Sequence, residues 1–283
     1  MKKSLLAAAI AVSFLGLAAC TEEAKASNVT VYGSAEQAIT STDGVMDMAS
    51  GDNYIGFKAN ESFGEGAGSA FAKIELGVDP EGTNTMSTRE SYVGLEMNGV
   101  SITAGKQKNI EKSFLAPLVD IMEGNGSSTA NDARVNNAVA LVTEMGGVTL
   151  GAASITEGTT GEDSIDAYEL GAKGEVAGVT AVVTYTKNQT TDVDSISYGV
   201  GADVAGVTLG ATVEPDADTN TVAASVALGN NDVRASYQDV DGGNNTTAVE
   251  VAHNFSKNTS AYVNVSETEG SDAATMVGMR INF

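Results

Sequence analysis

The C-terminal segment of the chain alternates strictly between apolar and polar or small side chains and ends on an aromatic residue. In 272–283 (DAATMVGMRINF), Val277, Met279, Ile281 and Phe283 share one face. A repeat of two residues with one wholly apolar face predicts a β-strand that is buried on one side. A terminal strand is also a sheet edge, and a closed barrel pairs that edge by joining the last strand to the first. The segment therefore predicts an antiparallel β-barrel.

The N-terminus predicts export. Lys2 and Lys3 precede an apolar run that is too short to span a bilayer and has the layout of a signal peptide. Two processing routes stay open. Cleavage after the A-x-A sequence that ends at Ala26 leaves a mature chain without cysteine, whereas a lipobox-like sequence before Cys20 predicts lipidation of that residue. The domain boundaries are then 1–26 for the signal peptide, or 1–19 if Cys20 is lipidated, and 27–283 for the barrel.

The composition excludes several classes of partner and site. The net charge is −22, from 15 Lys and Arg against 37 Asp and Glu, which argues against binding of nucleic acid. One His and one Cys cannot supply a His-Cys metal cluster or a Cys-His nucleophile pair. We therefore predict no enzymatic activity, no cofactor and no metal site. The acidic segment 239–244 lacks the Glu that closes an EF-hand, and it is interpreted as a polar hairpin.

Alternation along the rest of the chain predicts sixteen strands. An even number is typical of bacterial outer-membrane barrels, in which both termini lie on the periplasmic side. One face of several strands is apolar and the other polar, as expected for a wall between lipid and an aqueous lumen. The predicted strands are 28–39, 52–60, 67–78, 87–97, 99–106, 133–145, 147–156, 164–176, 178–187, 195–204, 206–214, 220–228, 231–239, 245–255, 258–267 and 272–283.

The predicted connections alternate in length. Short ones contain Gly, which supplies the positive φ of a hairpin turn, and the others are longer, polar and acidic. Short turns at one end and longer loops at the other are typical of a transmembrane β-barrel. The short turns are predicted at 97–100, 145–148, 176–179 and 204–207, and the longer loops at 40–51, 79–86, 157–163, 188–194, 215–219 and 240–244.

One connection, 108–132, is much longer than the others and carries its own apolar residues. Long loops in a protein with otherwise short connections are usually functional. Folded into the lumen, this loop would pack Phe114 and Leu118 on the barrel wall. Asp120 and Glu123 would then face the pore.

The order of these segments resembles that of the trimeric general porins of Gram-negative bacteria, over the whole of 27–283. The resemblance implies a homotrimer in the outer membrane, surrounded by lipid and lipopolysaccharide, with passive diffusion of small hydrophilic solutes past an inward-folded third extracellular loop. It also implies that the C-terminal residues Phe283, Ile281, Met279 and Val277 guide barrel assembly. The segments that carry it are VTVYG (29–33), YIGFK (54–58), RESYVGL (89–95), AGKQ (104–107), RVNN (134–137) and the terminal Phe.

In such a pore the charges at the narrowest section set the selectivity. We predict that Asp120, Glu123 and Glu111 form the acidic side of the constriction, on the third loop. The inward faces of the strands suggest an opposing basic side. Because acidic residues outnumber basic ones, we predict a preference for cations. The basic side is predicted to consist of Lys58, Lys73, Arg89 and Arg134.

An alternative of another class is a secreted or lipid-anchored acidic β-rich surface or adhesin protein without channel activity. The lipobox-like sequence, the charge and the 5% aromatic content favour it. This alternative predicts a protein that is soluble without detergent and does not need Phe283.

Overall fold

The computed structural model of the chain describes a succession of antiparallel strands that close into one barrel. It describes residues 28–79, 86–129, 133–156 and 165–283. The predicted processing sites at Cys20 and Ala26 and the whole predicted loop at 157–163 lie outside these residues, as do parts of the predicted loops at 79–86 and 108–132. The strands are β1 (Asn28–Thr42), β2 (Val45–Ser50), β3 (Tyr54–Phe63), β4 (Gly68–Val78), β5 (Met86–Met97), β6 (Val100–Lys108), β7 (Arg134–Met145), β8 (Val148–Ile155), β9 (Ala167–Val176), β10 (Val179–Asn188), β11 (Val193–Val204), β12 (Val207–Glu214), β13 (Thr219–Leu228), β14 (Asn231–Val240), β15 (Thr246–Ser256), β16 (Thr259–Thr268) and β17 (Ala274–Asn282).

These seventeen strands fill sixteen positions in the barrel, because β2 and β3 lie end to end beside β1. The sixteen-strand prediction is confirmed, but the predicted loop at 40–51 is wrong. β1 continues to Thr42, and a two-residue turn at Asp43 and Gly44, both with positive φ, returns the chain into β2. Aspartate followed by glycine favours this kind of hairpin turn. The polar composition of the segment concealed the two strands on either side of the turn.

The barrel closes where β17 pairs with β1, as the C-terminal segment predicts. The N–H of Gly33 donates to the carbonyl of Phe283 (2.9 Å), and the N–H of Phe283 donates to the carbonyl of Gly33 (3.1 Å). The Phe283 ring lies over Gly33, where a Cβ atom would come within 2.5 Å of the ring. The other predicted assembly residues, Val277, Met279 and Ile281, are exposed along the same side of β17.

Apolar and polar residues alternate between the outside and the inside of the barrel. In β15 the exposed Val249 and Val251 flank Glu250, which is fully buried. In the neighbouring β16, Val263 is exposed and Asn264 is fully buried. The outward face therefore suits a hydrocarbon environment, and the inward face carries the polar and charged side chains.

The connections at the two ends of the barrel differ in length, as predicted. At the end that holds Asn28 and Phe283, the strands are joined by turns of two to four residues. At the other end every connection has four or more residues, except the turn at Asp43 and Gly44. The short turns are 64–67, 98–99, 146–147, 177–178, 205–206, 229–230 and 257–258.

Residues 109–129, called the inward segment here, follow β6 and lie inside the barrel. They begin with one helical turn, α1 (Ile110–Phe114). The side chain of Asn109 caps it by accepting the N–H of Lys112 at 2.7 Å. A 3-10 turn at Ala116–Leu118 follows. Among the described residues, no helix is both long and apolar enough to span a membrane.

Glycines on the barrel wall make room for the inward segment. A Cβ atom at Gly171 would lie 2.5 Å from the Ile110 side chain, and one at Gly199 would lie 2.5 Å from that of Leu115. Burial of a large apolar side chain contributes about 1.5–3 kcal/mol, so this packing holds the segment firmly. The predicted inward fold is confirmed. The buried cluster consists of Ile110, Phe114 and Leu115 with Ala140, Ala153 and Val182 of the wall.

We expect Phe283→Ala to reduce the amount of correctly folded barrel several-fold, because the ring covers the seam between β1 and β17 at Gly33. Phe255→Ala is the matched control, since Phe255 is also an exposed aromatic residue near the short-turn end of the barrel. The measurement is the fraction of heat-modifiable protein on unboiled SDS gels of outer-membrane extracts. Equal loss of folded protein in both variants would contradict a special role for Phe283.

Candidate functional site

The inner wall of β3, β4, β5 and β7 brings together the four basic residues that were predicted to lie on one side of the lumen. They are interleaved with carboxylates. The Lys73 ammonium lies 3.2 Å from Glu75 and 2.9 Å from Glu90. Arg134 lies 3.8 Å from Glu75 and 3.7 Å from Glu90. We call this group the wall cluster: Lys58, Lys73, Arg89 and Arg134 with Asp52, Glu75 and Glu90.

A β-bulge brings Arg89 into the wall cluster. Glu90 pairs with Glu75 and Thr88 pairs with Leu76, so Arg89 is an extra residue on β5 without a partner on β4. A bulge re-aims the side chain of the extra residue. The Arg89 guanidinium donates to Glu75 at 2.8 Å and to Asp52 at 2.9 Å. It also lies 4.7 Å from the centre of the Tyr54 ring.

Lys58 differs from the other cations of the wall cluster. Its side chain is exposed, and in the described part of the chain it makes no ion pair. Its ammonium instead lies 4.6 Å from the centre of the Tyr32 ring, a cation–π contact. The Tyr32 hydroxyl donates to Glu75 at 2.9 Å. Glycine at position 56 makes room for the ring, because a Cβ atom there would lie 2.2 Å from it.

The far end of the inward segment is held by a second group of charges. Glu250, which is fully buried, accepts the backbone N–H groups of Glu123 (3.0 Å) and Gly124 (2.8 Å). Arg234 donates to Glu250 at 2.8 Å and to Glu123 at 3.3 Å. Arg280 forms an ion pair with Glu123 as well. The carboxylate of Glu123 is thus paired with two arginines of the wall beside it.

Glu36 completes this second group. Arg280 donates to Glu36 at 2.8 Å, and the hydroxyl of the buried Tyr262 donates to it at 2.5 Å. We call the whole group the tip clamp: Glu123 of the inward segment with Glu36, Arg234, Glu250 and Arg280 of the wall.

The other two predicted acidic residues of the constriction lie in different surroundings. Glu111 is buried against the wall, and the hydroxyl of Ser197 lies 3.3 Å from its carboxylate. The same part of the wall holds Glu169, which accepts the N–H of Ile110 at 2.9 Å. Asp120 is exposed on the inward segment. Of the three residues, Asp120 alone has an exposed side chain inside the barrel.

The sequence analysis did not identify Asp52, Glu36, Arg234, Glu250 or Arg280 as site residues. Alternation in β14, β15 and β17 places Arg234, Glu250 and Arg280 on the inward face, so the sequence alone indicates that these side chains point into the barrel. Arg234 and Glu250 face each other directly in the register of β14 and β15. That register depends on the strand pairing, which the sequence does not reveal.

The two groups of charges bound a narrowed passage. The inward segment lies against β8 to β12 and reaches β14 to β17, whereas β3 to β5 face it across the lumen with the wall cluster. The passage is therefore lined by paired charges of both signs. Within 28–79, 86–129, 133–156 and 165–283, no group of three or more His, Cys, Asp or Glu side chains is placed to hold a metal ion.

Comparisons with known proteins identify relatives of this barrel. A family model described as Gram-negative porin matches residues 6–273. No curated protein sequence matches the chain. Among solved structures, a mutant of the Rh. blastica porin superposes with a TM-score of 0.75 at 16% identity, covering 90% of this chain and 100% of that one.

Two further structures of similar fold come from other bacteria. The anion-selective porin from Comamonas acidovorans has a TM-score of 0.71 at 15% identity and covers 91% of this chain and 100% of its own. A loop L8 deletion mutant of OmpT, an outer membrane protein of Vibrio cholerae, has a TM-score of 0.72 at 14% identity and covers 92% of this chain and 100% of its own. At these identities the structures establish a shared fold.

We expect Glu250→Gln to loosen the tip of the inward segment, because an amide cannot accept both backbone N–H groups and still pair with Arg234. Removing one partner of a buried ion pair costs about 3–5 kcal/mol. The measurement is hydrogen–deuterium exchange of the Glu123 and Gly124 amides, which should accelerate at least tenfold.

The control is Glu267→Gln on the outward side of the adjacent strand, which removes the same charge from an exposed site. Unchanged exchange at Glu123 in Glu250→Gln would show that the tip clamp does not hold the segment.

Proposed function

The chain belongs to the Gram-negative porin family, and from this we propose that it acts in the outer membrane as a trimeric channel for passive diffusion of small hydrophilic solutes, with a preference for cations. The family and the fold are those of outer-membrane channel proteins rather than of enzymes. The observation that carries the proposal is the closed barrel with an apolar outside and a charged, partly open inside.

The physical task of such a protein is to lower the cost of moving a hydrated solute through about 30 Å of hydrocarbon. Each of the described strands other than β2 is paired on both sides, so none of these has an edge that faces lipid. The inward segment reduces the cross-section and presents charges to the solute. These features support selection by size and polarity.

Charges outside the narrow passage contribute to the cation preference. The wall cluster and the tip clamp, together with Asp232 beside Arg234, contain six cations and seven carboxylates, so the passage itself is close to neutral. The net charge of −22 for the whole chain therefore resides mainly elsewhere. Such charges raise the local concentration of cations at the pore mouths, over a distance set by salt screening.

The decisive experiment is planar-bilayer recording of the purified mature protein in salt gradients. We expect conductance steps in groups of three and a reversal potential of cation-selective sign. The preference should weaken strongly between 0.01 M and 1 M salt, because the Debye length falls from about 30 Å to about 3 Å.

A reversal potential of anion-selective sign would contradict the cation preference and leave the channel itself intact. A protein that is soluble without detergent and gives no conductance would contradict the channel and favour the surface or adhesin alternative.

We further propose that residues 1–26 are removed on export. Mass spectrometry of the mature protein would distinguish an N-terminus at Ser27 from a lipidated Cys20, because lipidation adds the mass of the acyl chains.

A further inference from the structure

We propose that Asp52 is the principal acidic determinant of ion selectivity inside the pore. This inference rests on the proposed channel function and names a residue of the constriction beyond the predicted acidic residues of the inward segment.

A break between β2 and β3 places Asp52 at the inner surface of the wall. Ser50 pairs with Gln37 and Tyr54 pairs with Ser34, so three residues on this side oppose two on β1. One extra residue of this kind is a bulge, which bends the strand and re-aims side chains. Bulges are frequent beside functional sites and at the rims of barrels.

The two neighbours of Asp52 in the chain, together with Glu36 of β1, stabilise the break. Asn53 accepts the N–H of Glu36 at 2.7 Å and donates to the carbonyl of Glu36 at 2.8 Å, and thereby replaces the missing backbone pairing. A side chain at Gly51 would collide with the carboxylate of Glu36, so glycine lets this carboxylate approach the break closely. The N–H of Asp52 donates to that same carboxylate at 3.1 Å. The backbone of Asp52 is therefore fixed while its side chain points away from the sheet.

The bulge in β5 and the break between β2 and β3 are both next to Asp52. Arg89, the extra residue of the bulge in β5, donates to the two carboxylate oxygens of Asp52 at 2.9 Å and 3.4 Å. Through Glu36, the backbone of Asp52 is also joined to Arg280 of the tip clamp. Asp52 thus lies where the wall cluster meets the tip clamp, at the point where the passage is bounded on both sides.

Asp52 is also the most exposed carboxylate of the two groups. Its side chain is 59% exposed, whereas that of Glu123 is 17% exposed. Among the described residues its ion-pair partner is Arg89, which is shared with Glu75, and this pairing leaves most of the Asp52 side chain open to the lumen. A permeating ion encounters the charge of an exposed group most directly. The remaining carboxylates, Glu36, Glu75, Glu90 and Glu250, are 5% exposed or less.

The test is the reversal potential of Asp52→Asn in a gradient around 0.1 M salt. We expect the cation-to-anion permeability ratio to fall at least about fivefold, because one unit charge at roughly 4 Å in water changes the local concentration of a monovalent cation about fivefold and that of an anion in the opposite sense. Arg89 keeps Glu75 as a partner in this variant, so we expect the folded barrel and its conductance steps to persist.

Three further variants compare the contribution of Asp52 with those of other carboxylates. Asp47→Asn removes the same charge from an exposed position of β2, nearer the loop end, and should change the ratio by less than half as much. Asp120→Asn and Glu123→Gln test the predicted acidic residues of the inward segment. We expect both to have smaller effects on the ratio than Asp52→Asn.

An unchanged permeability ratio in Asp52→Asn, or a larger change in Asp120→Asn or Asp47→Asn, would overturn the assignment while leaving the channel established. Absence of conductance in the unmodified protein would instead contradict the proposed function, and the inference with it.

Discussion

The pairing of β1 with β17 is the constraint on which the other features depend. Unpaired backbone N–H and C=O groups cannot face hydrocarbon, so a sheet in a membrane must close on itself. The exchange of two hydrogen bonds between Gly33 and Phe283 completes that closure at the end of the chain. On the inner side, the buried Glu36 joins the two strands, because Arg280 of β17 donates to it from across the seam. The same carboxylate accepts the N–H of Asp52 and belongs to the tip clamp, so closure and constriction share one residue.

Closure of the barrel also creates a wide lumen, part of which the inward segment fills. A barrel of sixteen positions leaves a lumen that side chains of the wall alone do not fill, and the inward segment occupies part of it. Its apolar residues sit over wall glycines such as Gly171 and Gly199, and its far end is held by Arg234, Glu250 and Arg280. Apolar packing fixes one end and ion pairs fix the other. The charges that remain accessible to solutes, such as Asp52, are therefore few.

The strands were predictable because the physics that forms them is local. An apolar outside and a polar inside impose a period of two residues, and glycine marks the tight turns. The prediction failed at 40–51, where apolar residues do not alternate strictly and β1 and β2 are joined by a turn of only two residues. It placed Arg89 on the inward face correctly, but the reason lies in a bulge that sequence alternation does not reveal. Bulges arise from the pairing of two strands, and neither strand encodes them alone.

By itself the sequence determined the class of fold, the number of barrel positions and the face of each strand that is apolar. The tertiary structure decided which charges meet. Glu123 pairs with Arg234 and Arg280, and Asp52 pairs with Arg89, across separations in sequence that no local pattern spans. The alternation of apolar residues shows which face of each strand points outward. Ion pairs depend instead on the register between strands and on where the inward segment binds to the wall. Those are properties of the closed barrel as a whole.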